Sequence, residues 1–295
     1  MTVLVHDAAY AGWVFSENHP TQGRRFINAA QLISAQLGVR VLSPRSATRA
    51  ELERVHTPEY VSEVMDTHVC GEWAGQRPDM SALAALFVGG TLTALDELFA
   101  QRTQVAVNLP GGKHHAHADH ASGFCVFADL AIAASIATEQ GHRVAILDID
   151  AHHGDGTEAL CSSMPNVLTF SVHQHGIFPG TGLADAPEVH AYNEPLPAQS
   201  GDVHLLGAVA RFVEVSAAFA PSVMFIAAGA DGHADDPLSA LRYTEAGFHQ
   251  AGAALRRAFP STPMLVTGAG GYRPDDATPA SWAHFVAGVS GLARE

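Results

Sequence analysis

The stretch "VAILDIDAHHGDG", residues 144–156, begins as an unbroken apolar run and ends in a cluster of ionisable side chains. Apolar, β-branched residues without alternation are the pattern of a strand covered on both faces, as in a parallel sheet. Asp148, Asp150 and His152 stand at i, i+2 and i+4, so a strand continuing through them would point all three to one side. Carboxylates and an imidazole gathered in this way form a set of hard-to-borderline metal ligands. The plain alternative is an Asp-rich strand end that caps a helix. The double histidine and the following Gly-Asp-Gly argue against it, because crowded charged groups need partners and a dication is the simplest one.

Four more runs in the chain have the same form: "QVAVNLP", "VLTFSVH", "VMFIAAGAD" and "MLVTGAG". Nearer the N-terminus, "VLVHD" and "VRVLSP" read as two further strands. Helical patterns alternate with them. "RRFINAAQLISAQLG" is stopped by Gly38, and "HTPEYVSEVMDTH" has Thr57 as N-cap with Pro58 in its first turn. "SALAALFVGGTLTALDELF" carries a Gly89-Gly90 pair that suits close packing, and "CGEWAGQRPDM" reads as a loop. The alternation predicts an α/β fold: one doubly wound domain over residues 1–295, with a central, mostly parallel sheet covered by helices on both faces. The polar clusters follow five of the strands. Ligand sites in open parallel sheets form beyond the carboxyl ends of strands, so five loops should converge on one crevice.

Composition narrows the function. The 295-residue chain is 47% hydrophobic and 16% charged, with a formal net charge of −14. Such acidity excludes a general attraction for nucleic acid or an anionic membrane. The three cysteines, Cys70, Cys125 and Cys161, contain no CxxC pair, which fits a reducing compartment and argues against a cysteine zinc site. There is no basic leader before an apolar core, and no apolar run reads as long enough to span a bilayer, so the expected location is the cytoplasm.

The remaining clusters supply partners for the first. Asp231, in "AGADGHADDP", is a third candidate ligand; two carboxylates and one imidazole leave an open position, as in catalytic zinc sites. "GGKHHAHADHASGFC" brings His114 and His115. Adjacent residues in extended chain point oppositely, so one metal rarely takes both. An imidazole beside a metal-activated water is a good general base, and Asp148 and Asp155 are spare carboxylates to orient such rings. His117 and His120 read as surface or supporting residues. Tyr272 follows three glycines in "GAGGY", which let backbone approach a site, and its phenol is suited to donate to an oxyanion.

Taken in order, these blocks resemble the histone deacetylase superfamily, which includes zinc-dependent histone deacetylases, acetoin-utilisation proteins and acetylpolyamine amidohydrolases. "NHPTQGRRF" is similar to the family's opening, with Arg25 at its arginine position, and "HTPEYVSEV" is similar to its H-x-x-x-Y helix. "GGKHHAHADHASGFCVFAD", "LDIDAHHGDG", "SVHQHGIFPGTG", "AGADGHADDPL" and "GAGGY" match further blocks. The resemblance implies an arginase-like fold and zinc, with Fe2+ as its alternative, held by Asp150, His152 and Asp231. It makes His115 the principal acid/base and His114 its electrostatic companion, with Asp155 and Asp148 holding them respectively. Tyr272 would polarise the substrate carbonyl. Gly123, Phe124 and Phe178 would line a tunnel for a lysine stem. A structural potassium ion would lie at Asp148, Asp150, His152, Ser171 and Val172.

The chain departs from the family in places. Lys113 stands where relatives often carry an aromatic residue or proline; with Arg25 it is a candidate for an inner pocket, though a solvent-facing side chain is the preferred expectation. Glu72 and Asp79 both qualify as the rim acid that grips substrate. Leu238 replaces the acidic gatekeeper of polyamine-selective relatives, which favours an acylated lysine of a protein or peptide over an acetylpolyamine or another small N-acyl amine. An arginase-like enzyme would need an acid at Gly154 and a second metal, and a non-catalytic acyl-lysine reader would not need His115 and Tyr272.

Overall fold

The computed structural model describes residues 2–291, so residue 1 and residues 292–295 of the expected 1–295 domain lie outside the described residues. Eight strands form one sheet: β1 Val3–Val5, β2 Arg40–Leu42, β3 Val105–Asn108, β4 Val144–Asp148, β5 Val167–Gln174, β6 Ala191–Leu196, β7 Val223–Ala227 and β8 Met264–Thr267. Their order is β2-β1-β3-β8-β7-β4-β5-β6, and every pairing is parallel. The five continuous apolar runs are β3, β4, β5, β7 and β8, each buried along its whole length. They are also five adjacent strands, so their carboxyl-end loops open on one crevice. One of the two central strands, β8, comes last in chain order among the described strands and joins β3 to β7.

Strand β6 was not foreseen. Asn193, Glu194 and Pro195 interrupt any apolar run, yet β6 lies at the sheet edge, where a proline forfeits no ladder bond on its open side.

The helices are α1 Arg24–Leu37, α2 Arg49–Leu52, α3 Pro58–Ser62, α4 Pro78–Phe99, α5 Asp129–Glu139, α6 Asp155–Cys161, α7 Asp202–Phe219, α8 Glu245–Ala258 and α9 Ala277–Val289. Gly38 ends α1 in the left-handed conformation, and the Thr57 hydroxyl caps α3 by accepting the Tyr60 N–H. Helix α4 starts at Pro78, inside the stretch expected to be a loop. A Cβ on Gly89 would lie 1.8 Å from the Arg45 carbonyl oxygen, so the glycine pair does serve close packing. Contrary to the sequence expectation, α4 is long and apolar enough to cross a membrane by length and composition; 72% of that window is buried inside the fold, which makes it a core helix.

One contact ties the helical layer to the crevice. The Trp282 indole of α9 stacks on Phe26 of α1, and its N–H is shared between the carbonyls of Ala228 and Gly268 at 3.0 and 2.9 Å. Those carbonyls belong to the turns that follow β7 and β8.

Candidate active site

Strand β4 stops at Asp148, so Asp150 and His152 stand beyond the strand rather than on one face of it. Two short side-chain turns bring them together instead. The Asp150 N–H donates to Asp148 Oδ1 at 3.0 Å, and the His152 N–H donates to Asp150 Oδ1 at 2.9 Å. Asp231, just past β7, is held by the Ala151 N–H at 2.8 Å, and Asp150 Oδ2 accepts from Gly270 at 2.6 Å. Ligand atoms of Asp150, His152 and Asp231 all lie within 4.8 Å of one another.

This group fits a dication. Burial and the Asp150 charge push Asp231 up to about 7. Burial opposes the charge on His152, but hydrogen bonds to Asp150 and Asp231 outweigh it and raise the imidazole to about 11. Two buried carboxylates thus draw positive charge into the cluster, and two oxygens with one nitrogen are donors that zinc or ferrous iron accepts.

The histidine pair does not splay. Gly112, at φ 79°, turns the chain, and the His114 and His115 rings lie side by side with centroids 3.9 Å apart. The expectation of opposite directions assumed extended backbone. Each Nδ1–H donates to its own carboxylate: His114 to Asp148 at 2.6 Å, His115 to Asp155 at 2.7 Å. Their protonation differs. Burial works against charge on His114, but Asp148 and Asp150 overcome it and raise it to about 9. Burial and the neighbouring His114 charge push His115 down to about 3. His117 supports the far oxygen of Asp155 at 3.3 Å and stacks on His120.

Tyr272 faces the same centre. Burial, then the charges of Asp231 and Asp150, hold its phenol well above the usual range, so it keeps its proton. Its backbone is fixed by Asp236, which accepts the Tyr272 N–H at 2.7 Å and the Leu238 N–H at 3.0 Å.

An apolar cavity of about 490 Å³ reaches this centre between Gly123, Phe124, Phe178 and Leu238, with His115, His152 and Tyr272 at its floor. Gly123, at φ 53°, leaves no room for a side chain: a Cβ would fall 2.4 Å from the His115 ring. Phe178 meets that ring edge-on at 5.0 Å.

Residues 19–289 match the family described as Histone deacetylase domain. The chain belongs to the histone deacetylase family. It is 31% identical to the acetoin utilization protein AcuC of Bacillus subtilis, over 99% of this chain and 82% of that protein. It is 32% identical to Histone deacetylase 8 of Xenopus tropicalis, over 86% and 73% of the two chains. The crystal structure of the HDA15 HD domain superposes with a TM-score of 0.89 at 28% identity, covering 99% of this chain and 88% of that one. The protein is therefore a deacetylase-type hydrolase.

Within this deacetylase, Lys113 is the clearest correction. It is 6% exposed and turned inward, with Nζ 5.4 Å from the ring centroids of Trp13 and Phe87. The buried carboxylate of Asp129 fixes the backbone there by accepting the Gly112 and Lys113 N–H groups at 3.0 and 2.8 Å. Burial pushes the Lys113 amine down to about 8. Arg25 is also buried and donates to the Gly271 carbonyl; its side chain and that of Lys113 line one small chamber together with Tyr272.

Of the two rim acids, Glu72 lines the tunnel and accepts the Phe124 N–H at 2.9 Å, stabilising a phenylalanine at φ 65°. Asp79 faces away and pairs with Arg77 at 2.6 Å. Ser171 and Val172 stand on β5, with Ser171 opposite Asp148. Gly154 has no space for an acid, since a Cβ would lie 2.5 Å from Asp148 Oδ2.

Sequence reasoning missed a set of supporting residues. His153 bonds Thr181 at 2.8 Å, and His173 bonds the Gly182 carbonyl at 3.0 Å, pinning the loop that carries Phe178. Asp236 and Asp129 were also overlooked. Their signal was present as surplus acids and histidines inside the quoted blocks, without anything to say which backbone each would hold.

Proposed function

We propose that this protein removes an acetyl group from the ε-amine of lysine in a protein or peptide, acting as one catalytic domain. The observation that carries the reading is that Tyr272 and His115, whose Nδ1 is held by Asp155, line an apolar tunnel together with His152 of the Asp150–His152–Asp231 cluster. Asp150, His152 and Asp231 would hold zinc, with ferrous iron as the alternative. When bound, that dication supplies Lewis-acid polarisation of the carbonyl and a lowered pKa for water.

The chain's own groups do the rest. Asp155 fixes the His115 tautomer, leaving Nε2 to take the proton from the attacking water. His114, charged beside it, favours the negative charge that develops. The Tyr272 phenol donates to the oxyanion on the former carbonyl oxygen. His115 then returns its proton to the leaving amine. The lysine stem would lie along Phe124, Phe178 and Leu238. Asp148 and the Ser171–Val172 backbone would hold potassium, together with Asp150 and His152. Three buried, unpaired cysteines accord with a cytoplasmic location.

A small acetylated amine is the second reading. The Glu72 carboxylate at the tunnel favours it, because a second cationic amine could pair there. A side-by-side panel of acetyl-lysine peptides and acetylpolyamines tests the two. The first reading expects the higher kcat/KM on peptide, and the reverse order would replace it. Tyr272→Phe should retain metal and lose about 10²–10³-fold in kcat; unchanged kcat would remove the phenol from the reaction.

A further inference from the structure

Asp236 is buried, and its two oxygens serve two different loops. Oδ1 accepts the Leu238 N–H at 3.0 Å, and Oδ2 accepts the Tyr272 N–H at 2.7 Å. Leu238 follows β7 and, at 37% exposed, offers its side chain to the tunnel; Tyr272 follows β8 and lines the same tunnel. Neither residue lies in a strand, so the sheet ladder does not fix one against the other. The Leu238 loop closes on itself: the Ser239 hydroxyl donates to the Asp231 carbonyl at 2.6 Å, and the Asp236 N–H donates to the His233 carbonyl at 3.0 Å. In the Tyr272 loop, Asp150 holds the Gly270 N–H and Arg25 holds the Gly271 carbonyl. A Cβ on Gly271, at φ 135°, would lie 2.6 Å from Thr278, so that backbone has little room to yield. Asp236 is thus the point at which a displacement of Leu238 reaches the backbone that carries the phenol.

We propose that Asp236 is a positioning residue that couples the tunnel wall to the phenol: a substrate stem seated on Leu238 sets, through the two Asp236 bonds, the position of Tyr272 at the carbonyl. The inference rests on the deacetylase reading and adds that recognition of the stem is expressed in kcat as well as in KM. A displacement well under the length of a bond is enough, because hydrogen-bond catalysis falls steeply with misplacement. The link needs a carboxylate. Both groups it holds are N–H donors, and asparagine offers one acceptor oxygen and one donor nitrogen. Asp236→Asn therefore cuts one side of the link whichever way its amide sits.

The test measures kcat and KM separately on an acetyl-lysine peptide, with metal content and thermal melts checked for every variant. Leu238→Ala is introduced into wild type, Tyr272→Phe and Asp236→Asn. In wild type it should raise KM and lower kcat about fivefold. In Tyr272→Phe, which has no phenol to misplace, and in Asp236→Asn, where the link is already cut, it should still raise KM but change kcat less than twofold. Asp236→Asn alone should lower kcat about tenfold with metal retained. A packing role for Leu238 and Asp236 gives the same kcat factor in every background, and that result overturns the link. So does a Leu238→Ala enzyme whose kcat equals wild type. Should Asp236→Asn fail to fold, the comparison of wild type with Tyr272→Phe decides alone. Failure of the lysine reading looks different: the peptide is not turned over, and the same variants on N-acetyl-1,4-diaminobutane then decide the link. Turnover of neither substrate sinks the deacetylase reading and the link with it.

Discussion

The crevice beyond β3, β8, β7, β4 and β5 can be set against the groove between α7 and α8. The groove is the larger, about 780 Å³ against 490 Å³ for the tunnel. Its walls are Leu206, Val209, Val213 and Ala254, with Glu214 and Arg257 at hand. Those side chains come from two helix faces that need only cover each other. The crevice is smaller, but five strand ends aim carboxylates, imidazoles and a phenol at one point. Size reports where helices fail to meet; chemistry needs opposed charges held against their own solvation, and parallel strand ends provide that.

This contrast can be broken in four ways. The largest effect belongs to His115→Ala, which should lower kcat by about 10²–10⁴-fold with metal retained; near-normal turnover, with metal content measured alongside, would return His115 to a packing role.

The second concerns pH. His56 braces the crevice from below: its Nδ1–H donates to the His117 carbonyl at 2.8 Å, and its Nε2 accepts the Ala128 N–H at 2.9 Å. Burial pushes it from 6.5 down to about 4. The unfolded chain therefore takes up this proton first as pH falls. Stability from this group is full above about 6.5 and is lost progressively toward 4, by roughly 3 kcal/mol. Urea midpoints at pH 7 and pH 4.5 should drop less in His56→Gln than in wild type, and equal drops would contradict the assignment.

Thr181→Ala is expected to act more gently. Freed from His153, the loop bearing Phe178 should raise KM several-fold while kcat changes less; a fall confined to kcat would place the loop in the chemistry instead. Val213→Thr in the groove should leave kcat/KM within about twofold, as for substitutions remote from the reacting groups. A large loss there would mean that the two regions communicate.

The same contrast explains what could be read from sequence. The strands of the crevice were legible because burial on both faces demands unbroken apolar runs. Strand β6, with one open edge, carries no such demand and was passed over. Asp150, His152, Asp231, His114 and His115 stand out as candidates because ionisable groups crowded at strand ends have few other uses, and Tyr272 because three glycines precede it. The conformation of the His pair was not, because it depends on the left-handed turn at Gly112. For Lys113 the sequence leaves both an inner pocket and solvent open and favours solvent, since a lysine's burial is decided by residues as distant as Trp13 and Asp129. Asp236 and His173 were overlooked because their partners are backbone groups that only the fold brings near.

The position of β8 bears on how the chain is born. The strands made earlier form two flanks, β2-β1-β3 and β7-β4-β5-β6, with a gap between them that only β8 can fill. On the ribosome those flanks emerge first and wait as separate ribbons with unpaired edges facing each other. The Ala228 carbonyl turn beside Asp231 waits longer still, for Trp282. The chain must therefore be made through Tyr272 and Trp282 before the crevice is complete, and the nascent protein is most exposed to mispairing just before β8 arrives.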